Sequence, residues 1–191
     1  NNREAAFDFF GLDPKKRTLF IMGGSLGART INDSILNKLQ RLIDEDIQLI
    51  WQTGKLYYHE VTGRLESFST EGIKHFEFLR EMDLAYAAAD MVISRAGALS
   101  ISELCLVKKA VIFVPSPNVA EDHQTKNAES LVQNNAAVMV KDIDASENLV
   151  DEAIALFKDK GKMAFLAGNI SKMAKPEATK NIVKEIIKLV S

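Results

Sequence analysis

Cysteine is almost missing from this chain. Cys105 stands alone among 191 residues, which excludes an intrachain disulfide and makes reducing, cytoplasmic conditions the natural expectation. Its neighbours Leu104, Leu106 and Val107 read it as a small buried apolar residue rather than a reactive thiol. No apolar run reaches the roughly 18 residues that a membrane-crossing helix needs, and no signal peptide is legible. An excess of either charge is also lacking: 24 Lys and Arg stand against 26 Asp and Glu, a net charge of −2. Nucleic acid and anionic lipid therefore find no general attraction, and any polyanion must be held at a local site, which favours a small anionic ligand. His59, His75 and His123 are scattered without metal-ligand spacing, so no metal is expected. Neither a Ser/His/Asp order nor a pair of catalytic carboxylates can be picked out. The opening Asn1-Asn2-Arg3-Glu4 has no initiator Met, which reads as a piece of a longer protein.

What is present is the balance of a protein with a real core: 47% hydrophobic and 26% charged residues. The length suits one domain, or one half of a two-domain enzyme. Short β-rich runs at 18–22, 47–51, 73–78, 91–94, 110–114 and 136–140 are mostly apolar throughout, as parallel strands covered on both faces require. Helical periodicity fills the gaps at 28–43, 56–68, 82–89, 99–106, 124–134 and 149–158. Strict alternation of this kind implies an α/β fold, a doubly wound, Rossmann-like parallel sheet of about six strands. Two more helical patterns, 163–173 and 177–190, close the chain. In the last, Ile182, Ile186 and Leu189 recur on one face and Lys180, Lys184 and Lys188 on the other. That stripe is expected to pack on its own sheet, the alternative being a neighbouring domain.

Chemistry is concentrated in three segments. Met22-Gly23-Gly24-Ser25-Leu26-Gly27-Ala28 lies between the first strand and the first long helix. Glycines there let backbone N–H groups approach an anion, the helix start adds partial positive charge, and Ser25 offers a hydroxyl. The spacing is neither G-x-G-x-x-G nor a P-loop. The competing reading is a turn that needs glycine only for its geometry. A dinucleotide site would place an acid at the end of strand two, but Ile50-Trp51-Gln52-Thr53-Gly54-Lys55 carries no carboxylate, which argues against a dehydrogenase.

The second segment, Ser94-Arg95-Ala96-Gly97-Ala98-Leu99-Ser100-Ile101-Ser102-Glu103, repeats the strand, glycine turn and helix start. Ala98, Leu99 and Ser100 can present backbone N–H groups to a pyrophosphate. Glu103, read as part of the first helical turn, can accept from ribose hydroxyls, or it can close a capping box with Ser100. The third segment runs from Pro115 to Ala128 and leaves strand five at the ligand-binding end of the sheet. There His123, Gln124 and Asn127 can bond sugar hydroxyls, while Asp122 as a helix cap and Asn127 as a solvated helix residue are the alternatives.

Taken together, these segments resemble the C-terminal domain of the MurG family. These are peptidoglycan glycosyltransferases that move GlcNAc from UDP-GlcNAc to lipid I, making lipid II. The likeness runs from Thr18 to the final helix. It rests, in order, on Gly23-Gly24-Ser25-Leu26-Gly27-Ala28-Arg29-x-Ile31-Asn32, Trp51-Gln52-Thr53-Gly54, Ala89-Asp90, the run from Ser94 to Glu103, and Asp122-His123-Gln124-Thr125-x-Asn127-Ala128. The resemblance implies the C-terminal half of a GT-B fold, with 18–191 as the UDP-sugar-binding domain and 1–17 as a linker and lead-in helix from an N-terminal domain.

It further implies that Ser25, with Gly24 and Gly27, contacts the diphosphate and that the Ala98–Ser100 backbone, beside Arg95 and Gly97, continues the contact. Glu103 takes the ribose, the Leu79 backbone reads the uracil edge, and Gln124 with His123 faces GlcNAc; Asn127 completes the set. Serine stands at 100 where the family commonly has threonine, which keeps the hydroxyl and the N–H. The base, the lipid I site and the membrane patch belong to the family's other half. No catalytic residue is therefore expected in this chain, which alone should bind donor without transferring it. UDP-GlcNAc is a substrate of an inverting hexosyl transfer, with no cofactor and no metal. The intact enzyme is expected to be cytoplasmic and peripheral on the inner face of the bacterial membrane. Rival readings are a GT-B-like UDP-sugar hydrolase or 2-epimerase, and a non-catalytic donor-binding subunit.

Overall fold

The computed structural model describes residues 2–117 and 122–190, the last without its side chain. Its strands are β1 (Arg17–Met22), β2 (Ile47–Gln52), β3 (Ile73–Phe76), β4 (Met91–Ser94), β5 (Ala110–Phe113) and β6 (Val138–Met139). All pair in parallel, in the order β3-β2-β1-β4-β5-β6. The expected doubly wound sheet is thus observed. The four central strands are buried along nearly their whole length, whereas the edge strands β3 and β6 are half-covered.

Both edge strands are shorter than the β-rich runs at 73–78 and 136–140 suggest. β3 stops at Phe76 because its partner stops at Gln52. In β6, Ala136 is used otherwise: its N–H donates to the Leu131 carbonyl at 2.8 Å while the Asn135 N–H donates to Val132 at 2.9 Å. Asn135 sits at φ 51°, so residues 135 and 136 finish the preceding helix as a Schellman turn before the strand can begin.

The helices are α1 (Asn2–Phe10), α2 (Arg29–Asn37), α3 (Leu39–Asp44), α4 (Tyr58–Leu65), α5 (Met82–Ala88), α6 (Ala98–Val107), α7 (His123–Gln133), α8 (Ala145–Lys158), α9 (Lys160–Lys172) and α10 (Ala178–Val190), with a 3-10 turn at Asp142–Asp144. Alternation along the strands sorts the core into two layers. Leu19, Ile21, Leu49, Trp51, Ile93 and Ile112 point to α2, α3, α4 and α8. Phe20, Met22, Ile50, Val92, Val111 and Phe113 point to α1, α5, α6 and α7. Helix α1, in the segment read as a lead-in, supplies Ala6, Phe7 and Phe10 to that second layer, and Arg3 ties it to Asp90 at 2.7 Å.

Two helical expectations need correction. The pattern 28–43 is two helices, broken at Lys38 (φ −121°, ψ 21°). The break keeps Leu39 and Leu42 fully buried and lets the Lys38 ammonium reach the Glu147 carbonyl and, at 2.9 Å, Asp151. The final stripe does not pack on its own sheet: Ile182, Val183, Ile186, Ile187 and Leu189 are all exposed. The sheet faces are already covered by the other helices, and Leu166 and Ile170 of α9 complete the two layers.

Candidate functional site

The strand order reverses direction between β1 and β4, and at such a switch point the loops leaving the carboxyl ends diverge and open a crevice. A cleft of about 580 Å³ lies there, lined among others by Gly23, Gly24, Gly27, Arg29, Tyr57, Arg95, Gly97, Ser100, Gln124 and Asp142. Its first wall is the loop after β1. Gly27 (φ 88°) donates its N–H to the Gly24 carbonyl at 3.1 Å, closing a turn. A Cβ at Gly27 would lie 2.2 Å from the Thr53 carbonyl oxygen, and one at Gly54 would lie 2.1 Å from the Gly27 nitrogen. These two glycines let the loops after β1 and β2 touch backbone to backbone. Gly24 (φ 84°) differs, because a Cβ there would meet nothing within 4 Å. So packing alone accounts for Gly27, while Gly24 faces open space and leaves its backbone accessible.

Buried polar groups fix this wall from behind. Asn32 accepts from the Trp51 indole N–H at 3.0 Å and donates to the Thr53 carbonyl at 2.9 Å. Helix α2 then starts at Arg29, with Ala28 as its cap and the first intrahelical bond from the Asn32 N–H to the Ala28 carbonyl. The N–H groups of Arg29, Thr30 and Ile31 therefore have no intrahelical acceptor, which makes this end of α2 electropositive.

The second wall is the loop after β4, and side chains hold it. The Gln124 carboxamide oxygen accepts from the N–H groups of Ala96 (3.2 Å) and Ser116 (2.9 Å), and the Asn127 amide donates to the Ala96 carbonyl at 3.2 Å. The Arg95 guanidinium donates to the carbonyls of Val114 (3.0 Å) and Pro115 (3.1 Å) and pairs with Asp142. Asp142 also accepts from the Thr30 hydroxyl at 2.9 Å, so one carboxylate links the loop after β4 to the start of α2. The Arg95 and Asp142 side chains are only 16% and 17% exposed. Gly97 caps α6, whose first bond runs from the Ile101 N–H to the Gly97 carbonyl, leaving the N–H groups of Ala98, Leu99 and Ser100 without helical partners.

Of the residues expected from sequence, Gly24, Gly27, Arg95, Gly97, Ser100 and Gln124 line the one cleft. Ser25 lies exposed in the loop after β1, and Ala98 and Leu99 lie exposed at the start of α6. Asn127 is neither a lining residue nor a solvated one; it is half-buried and braces Ala96. His123 is exposed at the first residue of α7 and is not in the lining. Asp122 does occupy the cap position, at φ 55°, but its side chain makes no capping bond. Residues 118–121 of that third segment lie outside the described residues.

Glu103 requires a correction of position. Because α6 begins at Ala98, Glu103 is its sixth residue, in the second turn, and Ser100 is inside the helix with Gly97 as the cap. The capping box is thereby ruled out. Instead the Tyr86 phenol donates to Glu103 at 3.2 Å. Burial first, and then the Glu103 carboxylate, push that phenol well above its ordinary value, so it remains a proton donor. Leu79 is buried, and its N–H donates to the Gln52 carboxamide oxygen at 3.0 Å. Glu103 and Leu79 lie outside the cleft lining; each has its own brace from a neighbouring element.

Sequence reasoning passed over Arg29, Thr30, Tyr57 and Asp142, which all line the cleft. Arg29 was within reach, being two residues past the last glycine of the loop. Asp142 follows a strand of only two residues, where the general rule about carboxyl ends was its one signal. Among the described residues, no group of three or more His, Cys, Asp or Glu is placed to hold a metal, and no helix is long and apolar enough to cross a membrane.

Comparison with known proteins adds sequence evidence. Residues 18–189 match the glycosyltransferase family 28 C-terminal domain. The chain is 49% identical over 190 residues to the UDP-N-acetylglucosamine–N-acetylmuramyl-(pentapeptide) pyrophosphoryl-undecaprenol N-acetylglucosamine transferase of Parabacteroides distasonis, covering 100% of this chain and 52% of that protein. It is 52% identical over 188 residues to the protein of the same name from Cytophaga hutchinsonii, covering 98% and 50% respectively. The crystal structure of Acinetobacter baumannii MurG superposes with a TM-score of 0.80 at 27% identity, over 96% of this chain and 53% of that one. The chain thus spans about half the length of the curated relatives it matches.

Proposed function

The chain belongs to the glycosyltransferase family 28 C-terminal domain family, and from that premise we propose that its cleft holds the diphosphate of UDP-GlcNAc. In this reading, residues 18–191 form the donor-binding domain of an enzyme that transfers GlcNAc to lipid I and forms lipid II, and 1–17 lead into it. The observation that carries the proposal is the placement of two helix starts. The N–H groups at 29–31 and at 98–100, which have no helical acceptor, begin the helices that follow the two loops walling one cleft at the switch point, and Gly24 leaves backbone open between them.

The chemistry follows from that arrangement. As the 4-hydroxyl of the acceptor sugar attacks the anomeric carbon of GlcNAc, the bond to UDP breaks and charge collects on the departing diphosphate. Fixed N–H donors aimed at that charge stabilise it without reorganising and without calling on a metal. The anomeric configuration inverts. Ser25 and Ser100 add hydroxyl donors, and Gln124 faces the sugar with the amide group that its backbone contacts leave over. Glu103, steadied by Tyr86, accepts from the ribose, and Leu79 meets the uracil with its backbone. The base and the lipid I site lie outside this chain, as does the contact that holds the enzyme at the inner face of the membrane.

A competition series tests the reading: UDP and UDP-GlcNAc should displace one another and bind tighter than ADP or NAD. Equal affinity for all four, or a preference for NAD, would overturn it. Within the site, Glu103→Ala should cost about 1–3 kcal/mol of UDP affinity, the range of hydrogen bonds to a charged group; an unchanged dissociation constant in calorimetry removes Glu103 from the ribose.

A further inference from the structure

Among the described residues, three charged side chains line the cleft: Arg29, Arg95 and Asp142. Two of them cancel, because Arg95 pairs with Asp142 through Nη1, the same nitrogen that donates to the carbonyls of Val114 and Pro115. Arg29 is different. It is the first residue of α2 and exposed, and among the described residues it forms no ion pair. Its guanidinium rests over the Tyr57 ring, 5.4 Å from the centroid, and Tyr57 is itself a half-buried lining residue. Tyr57 is in place because the Gly27–Gly54 contact brings the loop after β2 against the loop after β1.

We propose that Arg29, carried on the Tyr57 ring, is the cation that engages the phosphate oxygens of the donor in this cleft. The inference rests on the nucleotide reading above and deepens it. A guanidinium carried over an aromatic face spends no N–H group on a hydrogen bond there, and its fork of donors matches the paired oxygens of a phosphate. The start of the helix that Arg29 begins also lines this cleft, so charge and backbone donors can act on one anion. Arg95 serves a separate purpose: it fixes the opposite wall, with its charge offset by Asp142.

The test compares UDP with uridine, which lacks the phosphates, on this chain and on Arg29→Gln and Arg29→Lys. Arg29→Gln should weaken UDP about tenfold, the scale of one charge-assisted contact at a solvent-facing position, and leave uridine unchanged. Arg29→Lys should retain more of the preference for UDP than the glutamine variant. Unaltered thermal unfolding of the variants would show that the wall is intact. If Arg29→Gln keeps the full preference for UDP, or loses UDP and uridine equally, or if Arg29→Lys does no better than Arg29→Gln, the inference is overturned while the nucleotide reading stands. If the unaltered chain shows no preference for UDP over uridine, the nucleotide reading falls and this inference with it.

Discussion

After β1 the chain turns by leaving side chains out; after β4 it turns by bringing them in. At Gly27 and Gly54 the backbones of two loops touch at distances no Cβ would tolerate, and main chain forms that contact, with Asn32 and Trp51 bonded behind it. Opposite, Ala96 is held on both its N–H and its carbonyl by Gln124 and Asn127, and Arg95 and Asp142 lock the loop to its neighbours. Both loops deliver a helix start to the same cleft. The first, however, depends on space that must stay empty, and the second on contacts that must stay made. An empty space is lost all at once when a methyl group enters it. A net of polar contacts is lost bond by bond.

The largest effect should therefore come from the first wall. Gly27→Ala places a Cβ against the Thr53 carbonyl at a positive φ, and should destabilise the fold by about 3–4 kcal/mol in chemical unfolding and abolish UDP binding. A stable, binding-competent variant would mean the two loops can part without loss. On the second wall, Asp142→Ala leaves the largely buried Arg95 guanidinium without its carboxylate and Thr30 without its acceptor. A loss of about 2 kcal/mol of stability is expected, with UDP binding weakened rather than abolished. Gln124→Ala removes the acceptor of two backbone N–H groups and should cost about 1–2 kcal/mol. An Asp142 or Gln124 variant as damaging as Gly27→Ala would erase the contrast between the walls.

The fold was readable because β1, β2, β4 and β5 are covered on both faces and so are apolar almost throughout. Edges were less so: the apolar run at 136–140 overstated β6 because Ala136 is needed to close α7. Periodicity gave no warning of the break at Lys38, where the side chain reaches Asp151 of α8, far along the chain. Nor does an amphipathic stripe say what it packs on, and the apolar residues of α10 are exposed.

In the cleft, glycines and small residues were legible because their reason is local. Asp142 was not, since its importance comes from Arg95 and Thr30, 47 and 112 residues away in sequence. Glu103 could be read only as to type: a three-residue difference in the cap of α6, Gly97 rather than Ser100, decides whether it closes a capping box or stands clear of one. Likewise Asn32 and Trp51, prominent among the motif residues, turn out to bond each other behind the wall.

The claim beneath all of this is that the loops after β1 and β4 act on one diphosphate. Backbone amide NMR during a UDP titration addresses it directly. The account predicts that the amides at 24–31 and at 98–100 shift together and saturate at one common UDP concentration. Movement in only one of the two groups, or two different saturation points, would contradict it.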